Sequence, residues 1–385
     1  MISNLRHLRV FAAATAHGSI TRAAETANVS QPAVTQAIAK LEHDFGAQLF
    51  RRTTQGVFAT EAGTALAARV ARAFALLDGA LDAVAPRLRL TATAAQLQAL
   101  IAMREAESFT LAARRLGIAQ PTVHRAITAL EQESGRALFE RTAHGMLATR
   151  AAQALAQAAR LAFAELDQAE ADIAELAGRE VGRIVVGAMP LSRSSVLPAA
   201  ITAFRRLRPR LPILVHDGSY EDLLAGLRRG EVDLLIGALR EPAPIGDVVQ
   251  ESLFDDDLVV VAGPRHPLVG RPLDVAALAA FPWVVARAGT PTRVHFDRLF
   301  AGGRAPASLV ETGDVILVRE ILDASEHLAC ISRAQARVGA ARGLMTILPI
   351  EVPGSLRPIG LTLRRDWLPT RAQDDFLREV RRATL

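Results

Sequence analysis

The chain holds one cysteine, Cys330, so it has no partner for an internal disulfide and no set of thiols for a metal site. Within "HLACIS" that residue is expected to be a small buried hydrophobe. Lysine is almost absent as well: Lys40 is the only one, and the other 44 of the 45 basic residues are arginine. GC-rich coding produces that bias as readily as function does. Long apolar runs are also missing. The longest strongly apolar stretch, "VAALAAFPWVVA", is well short of a membrane span and is interrupted by Pro282. The opening "MISNLRHLRVFAAATAHG" loosely imitates a secretion signal, but its apolar run is too short and its period is helical. A cytoplasmic protein with no membrane partner is expected.

Catalytic signatures are equally scarce. Paired metal ligands, a phosphate loop and a nucleophile elbow are not found, so neither an enzyme nor a bound cofactor is expected. The acidic run Asp255, Asp256 and Asp257 reads as a solvated turn, and His216 beside Asp217 as a structural residue at a strand end.

What is present is enough chain for two or three domains, 385 residues with 50% hydrophobic and 22% charged side chains. Those proportions are those of a soluble folded protein. A net charge of +5 and a pI near 10.5 favour an anionic partner.

The strongest signal is an internal repeat. "SQPAVTQAIAKLE", residues 30 to 42, returns 89 positions later as "AQPTVHRAITALE", and residues 8 to 67 align with 97 to 156 without a gap. In the first copy Leu5, Leu8, Phe11 and Ala12 recur at helical spacing before Gly18. Ser19 or Thr21 suits the cap of a second helix, in which Ala23 and Ala24 permit close packing. Ser30 caps a third helix with Pro32 in its first turn, where a missing N–H costs nothing. Val34, Ile38 and Leu41 form its apolar stripe, leaving Ala33, Thr35, Gln36 and Lys40 outward. Helix, short turn and a helix with a polar outer face is the helix-turn-helix plan, in which the second helix enters the DNA major groove. "LFRRTTQGVFAT" then alternates and turns at Gly56 like a two-stranded wing, with Arg51 and Arg52 placed for phosphate. An ordinary three-helix bundle with a hairpin fits the pattern too. A long Ala/Leu-rich helix follows each copy, stopped by Pro86 and by Gly178. Each must bury its stripe against a partner, and the two are expected to pack together within one chain as an internal pseudo-dimer.

From residue 182 onward short apolar strands and helices alternate, which predicts a parallel-sheet α/β domain whose ligand sits at the strand ends. Ser192, Ser194, Ser195, Gly218 and Ser219 follow the first strands. Thr290 and Thr292 lie in "RAGTPTR", and Thr312 and Gly313 in "ETGD". Hydroxyls and N–H groups of that kind suit a small anion such as a carboxylate, although each alone reads as a helix cap.

The segment "FAAATAHGSITRAAETANVSQPAVTQAIAKLEHDFGAQLFRRTTQGVFATEAG" resembles the winged helix-turn-helix of LysR-type transcriptional regulators. Ala-Ala, Ser-Gln-Pro, Leu-Glu, Gly, Leu-Phe-Arg-Arg and Thr-x-x-Gly stand at that family's spacing. The resemblance implies a protein of α plus α/β class: two tandem winged helix-turn-helix units with long linker helices, then a two-lobed, periplasmic-binding-protein-like effector domain. The boundaries would be 1–60 and 91–149 for the units, 61–86 and 150–178 for the linkers, and 180–385 for the effector domain. Lobe one would take about 180–262 and 355–385, and lobe two about 263–354. It further implies promoter double-stranded DNA and a small-molecule effector as ligands, assembly as a homodimer or homotetramer, and contact with RNA polymerase. A narrower likeness of "GTPTR" and "LTLRRDWLPTRAQDDFL" points to regulators of aromatic-acid and sugar-binding-protein genes, so a small organic acid or a sugar is expected as effector.

The family's members usually carry one such unit. Residues 1–90 here hold ten basic and six acidic side chains, net +4, against eight and ten, net −2, in 91–178. Ala119 replaces Ser30 and Glu140 replaces Arg51. Gln31, Pro32 and Gln36 in copy one, with Gln120, Pro121, Thr122, His124, Arg125 and Arg141 in copy two, give two different faces. Gln suits adenine edges and Arg125 suits guanine. The alternative is a second copy that only scaffolds dimerisation, beside a silent sensor half.

Overall fold

Side-chain caps start most helices of the N-terminal half. In the computed structural model, which describes residues 4–53, 56–143, 145–243 and 245–384, Asn4 caps α1 (Leu5–His17), which stops at Gly18 with φ 59°. Ser19 caps α2 (Ile20–Thr26), and Ser30 caps α3 (Gln31–Phe45) by accepting from Ala33 N–H. The antiparallel hairpin β1 (Phe50–Thr53) and β2 (Gly56–Ala59) follows, and Thr60 caps the long α4 (Glu61–Val84). After one turn of helix, α5 (Leu88–Thr91), the series restarts: α6 (Ala94–Ala106), α7 (Phe109–Leu116), α8 (Gln120–Ser134), β3 (Phe139–Thr142), β4 (Gly145–Ala148) and α9 (Arg150–Leu176). Each begins 89 positions after its counterpart.

The repeat extends to tertiary contacts. Glu42 Oε1 accepts from the N–H groups of Leu49 and Phe50 at 2.9 and 3.3 Å, and Glu131 Oε1 accepts from Leu138 and Phe139 at 2.8 and 3.2 Å. One carboxylate thus ties each third helix to its hairpin. Gly56 and Gly145 lie against the α1–α2 and α6–α7 corners so closely that a Cβ would come within 2.7 Å of Gly18 O and 2.9 Å of Glu107 O. A single apolar core runs from Leu5 to Ile173, so both copies belong to one body. Its spine is α4 packed on α9, with Leu66, Val70, Leu77 and Leu81 of one and Leu155, Leu166 and Ile173 of the other buried. The expected pairing of the two long helices within the chain is what the fold contains.

The chain divides after Gly182. The second unit runs β5 (Ile184–Ala188), α10 (Pro190–Ser194), α11 (Val196–Leu207), β6 (Ile213–His216), α12 (Tyr220–Arg228), β7 (Leu234–Ala238) and β8 (Val248–Asp256). Then come β9 (Leu258–Ala262), α13 (Val275–Leu278), β10 (Trp283–Val285), α14 (Pro291–Leu299), β11 (Leu309–Glu311), α15 (Val315–Ala324), β12 (Leu328–Ser332), α16 (Arg333–Ala341) and β13 (Thr346–Glu351). Two elements close the chain, β14 (Arg357–Arg364) and α17 (Arg371–Arg382).

The strands form two five-stranded sheets in the orders β6-β5-β7-β14-β8 and β11-β10-β12-β9-β13. In each, four strands run one way and a single strand, β14 in the first sheet and β9 in the second, runs against them, so the expectation of a parallel sheet is corrected to mixed sheets. The cause is connectivity: the chain leaves the first sheet along β8, passes through β9 with one residue between, and returns only as β14. The crossing falls at Asp257 rather than near 262, because β9 already belongs to the second sheet. The acidic run is likewise no solvated turn. Asp256 is buried and accepts from Ala334 N–H at 3.0 Å, and Asp257 pairs with Arg333 at 2.6 Å, so both anchor the start of α16.

Candidate nucleic-acid interface and effector cleft

The outward face of α3 is built by the stripe behind it. Val34, Ala37, Ile38 and Leu41 are buried, which turns Gln31, Pro32, Gln36 and Lys40 to solvent and leaves Thr35 half-buried. Lys40 is engaged by Asp44 one turn on, at 2.8 Å. Beside the exposed Ser30 cap, a polar groove of about 450 Å³ is lined by Thr21, Asn28, Ser30 and Gln31. Arg51 is exposed on β1 opposite Phe58, with no ion pair among the described residues; the Arg52 side chain lies outside them.

On α8 the same stripe, Val123, Ile127 and Leu130, exposes Gln120, Pro121, Thr122, His124 and Arg125. Ala119 supplies no side-chain cap. His124 lies against Phe109, ring centroids 5.1 Å apart, and the exposed Arg125 donates from Nε to Pro121 O at 3.3 Å. Arg141 is exposed, and beside it stands Glu140 where copy one has Arg51.

Between α4 and α9 lies a charged cluster that sequence reasoning missed. Arg69 is 1% exposed and donates to Asp172 from Nε at 2.8 Å, and from Nη1 to Glu165 at 3.0 Å and Gln168 at 2.7 Å. Arg72 reaches the other oxygen of Glu165 at 3.0 Å. Burial pushes the Asp172 carboxyl up, partly opposed by the Arg69 hydrogen bond. The available signal was a single arginine within an otherwise apolar stripe of Leu66, Val70 and Ala73.

In the second unit most of the singled-out hydroxyls serve their own backbone. Ser192 and Ser195 donate to Met189 O and Leu191 O, Ser219 and Thr290 cap α12 and α14, and Thr312 accepts from Asp314 N–H. Ser194 is half-buried in α10, and Gly218 and Gly313 lie in the loops before α12 and α15. Thr292 differs: its Oγ1 accepts from Arg357 Nη1 at 3.5 Å. Arg357 itself carried no signal in "SLRPIG". Cys330 is buried within β12, and burial pushes its thiol up to about 12, so no thiolate chemistry is open to it at neutral pH. No helix among the described residues is long and apolar enough to cross a membrane.

Comparison with known proteins places both units. The family described as "LysR substrate binding domain" matches residues 177–384, and that described as "Bacterial regulatory helix-turn-helix protein, lysR family" matches residues 5–64 and again 83–153. The transcriptional regulator GalR of Pseudomonas putida is 35% identical over 96% of this chain and 95% of its own length. The regulator CbbR of Xanthobacter flavus is 30% identical over 74% of this chain and 84% of its own. Among solved structures, a full-length OxyR variant from Pseudomonas aeruginosa superposes with a TM-score of 0.54 at 23% identity, covering 75% of this chain and 94% of that one. CbnR with its target DNA gives 0.52 at 21%, covering 75% and 98%. The fold likeness and the two family matches agree: the chain belongs to the LysR family of bacterial regulatory helix-turn-helix proteins.

Proposed function

We propose that this protein is an effector-responsive transcriptional regulator that reads promoter double-stranded DNA with two tandem, unlike winged helix-turn-helix units held together by its own linker helices. The observation that carries this is the Arg69 cluster. Its buried cation comes from α4 and the acids that meet it come from α9. The repeat equivalents of Arg69, Glu165 and Asp172 are Ala158, Leu76 and Ala83. Two α4 helices from different chains would therefore set Arg69 against Leu76 and Ala83. Two α9 helices would bury Glu165 and Asp172 opposite Ala158. A buried charge stripped of its partner costs about 3–5 kcal/mol, so this side-chain pattern suits α4 with α9 and opposes either like pair. Coverage supports the same reading: GalR matches 96% of the chain, whereas CbbR matches 74% of it.

In this reading α3 presents Gln31, Thr35 and Gln36 to one half-site and α8 presents Thr122, His124 and Arg125 to another, about one DNA turn away. Arg51, Arg52 and Arg141 meet phosphate. A small organic acid or sugar bound between the two sheets of the second unit shifts promoter occupancy through its different affinity for two arrangements. Homodimers or homotetramers then form through surfaces other than the α4–α9 face, and polymerase is met at the promoter.

The test is a footprint of the full-length chain on the intergenic DNA upstream of its gene. Gln31→Ala/Thr35→Ala and Thr122→Ala/Arg125→Ala are expected to lose protection over different halves of one site. An unchanged footprint from the second variant would make copy two a scaffold.

A further inference from the structure

Arg357 opens β14 at the point where the chain returns to the first sheet, opposite Asp256, the last residue of β8. It is half-buried, and its Nη1 reaches Thr292 on α14, whose Phe296 packs in the core of the second sheet. The guanidinium therefore bridges the two sheets of this unit. Two cationic or titratable side chains, Arg240 and His295, lie within its electrostatic reach, and Arg240 stacks 4.5 Å over the Tyr220 ring. The nearby acid is Asp256, which spends one oxygen on Ala334 N–H.

Other arginines of this unit are held by carboxylates, as Arg333 is by Asp257, Arg381 by Glu251 and Arg208 by Asp375. Arg357 has no ion pair among the described residues, and its Nε is buried with no hydrogen-bond partner. The same holds for Gln335 Nε2, Gln250 Nε2, Tyr220 Oη, His295 Nδ1 and Asp256 Oδ2. Gln335 follows Ala334 on α16, and Gln250 accepts from Arg240 N–H, which links these groups to the same neighbourhood. Three of the six can only donate and one can only accept. Buried donors in excess, around a desolvated cation, call for a partner that only accepts. Burial lowers the Arg357 pKa, opposed by Asp256 and aided to a smaller extent by Arg240, and burial with the Arg357 charge lowers that of His295, so an added negative charge relieves both.

We infer that Arg357, with Thr292, His295, Gln335 and Tyr220 around it, seats a carboxylate group of the effector. The inference rests on reading this unit as the effector domain, and it narrows that ligand to small organic acids over sugars. The planar guanidinium fork matches a carboxylate, and the neutral amides and hydroxyls supply further hydrogen bonds without the charge a phosphate dianion would need.

The experiment is a thermal-shift series on the full-length chain, using aliphatic and aromatic carboxylates headed by succinate and benzoate, their amides succinamide and benzamide, inorganic phosphate, and glucose. At least one carboxylate is expected to raise the melting temperature while its amide does not. Arg357→Gln is expected to abolish that shift and Arg357→Lys to keep part of it. Without ligand, Arg357→Gln should melt no lower than the parent, since an unpaired desolvated cation has been removed; a clear drop contradicts the seat. A carboxylate shift that survives in Arg357→Gln, or stabilisation by glucose or phosphate equal in both proteins, overturns the seat and leaves the effector reading standing. Silence from every compound overturns both.

Discussion

Ser30 accepts a backbone hydrogen bond at the start of α3, while Ala119 leaves α8 uncapped; Arg51 becomes Glu140 on the hairpin, and Gly18 becomes Glu107 in the same left-handed conformation, φ 59° against 51°. Each difference costs copy two a little stability or a little attraction for phosphate. Yet its buried stripe, its hairpin and the carboxylate tie through Glu131 are all kept. What it gains is on its linker helix, where Glu165 and Asp172 receive Arg69 of copy one. The copies have diverged toward each other as well as away from each other, as two halves of one interface do.

The sharpest way to break that comparison is at the cluster itself. Arg69→Ala should destabilise the N-terminal unit by about 3 kcal/mol in urea unfolding, because half-buried Asp172 loses its cation and buried Glu165 is left with Arg72 alone. A loss near zero would mean that the linker pair does not depend on its charges. Next in size is phosphate attraction. Arg51→Ala should lower affinity for promoter DNA and reduce the slope of log K against log salt by about one, and Glu140→Arg should raise both. Equal indifference to the two changes in a salt titration would put neither hairpin on the backbone. A smaller effect is expected from the cap: Ala119→Ser should stabilise copy two, and Ser30→Ala destabilise copy one, each by about 1 kcal/mol in chemical unfolding.

The smallest effect concerns pH. Burial raises the Asp172 pKa, so its contribution to stability is fully present below the ordinary aspartate range and is lost as pH rises through the folded value. Asp257 and Glu251 in the second unit are held low by Arg333 and Arg381, so their contributions are present at neutral pH and lost as it falls through the folded values. Unfolding curves taken from pH 3 to 6 should show Asp172→Asn abolishing only the first trend. A variant indistinguishable from the parent across that range would show Asp172 to be solvated.

Much of this was legible in the sequence because it is local or periodic. The 89-residue repeat, the Ser30 cap, Pro32 in the first turn and the three- and four-residue apolar spacing each fix an element without knowledge of the rest. The mixed sheets were not legible, because strand direction depends on where β8 and β14 meet, over one hundred positions apart. The Asp255–Asp257 run misled for a similar reason: three acids in a row look solvated until α16 arrives from residue 333 to use two of them. The Arg69 cluster joins residues about one hundred apart, and Arg357 meets Thr292 from 65 positions away. The hydroxyls Ser192, Ser195, Ser219 and Thr290 have local backbone partners at three or four residues, the capping and turn role that each alone suggests in the sequence.

The central claim is that one chain carries both members of the linker pair. Charge reversal tests it most directly, with Arg69→Glu in one protein, Glu165→Arg/Asp172→Arg in a second, and all three changes in a third. Folding of the N-terminal unit and binding to promoter DNA are measured for each alone and for the first two mixed after refolding together. The account predicts that the first two fail, that the third regains folding and binding, and that the mixture does not. Recovery in the mixture would show that α4 of one chain pairs with α9 of another, and would contradict a reader complete within a single chain.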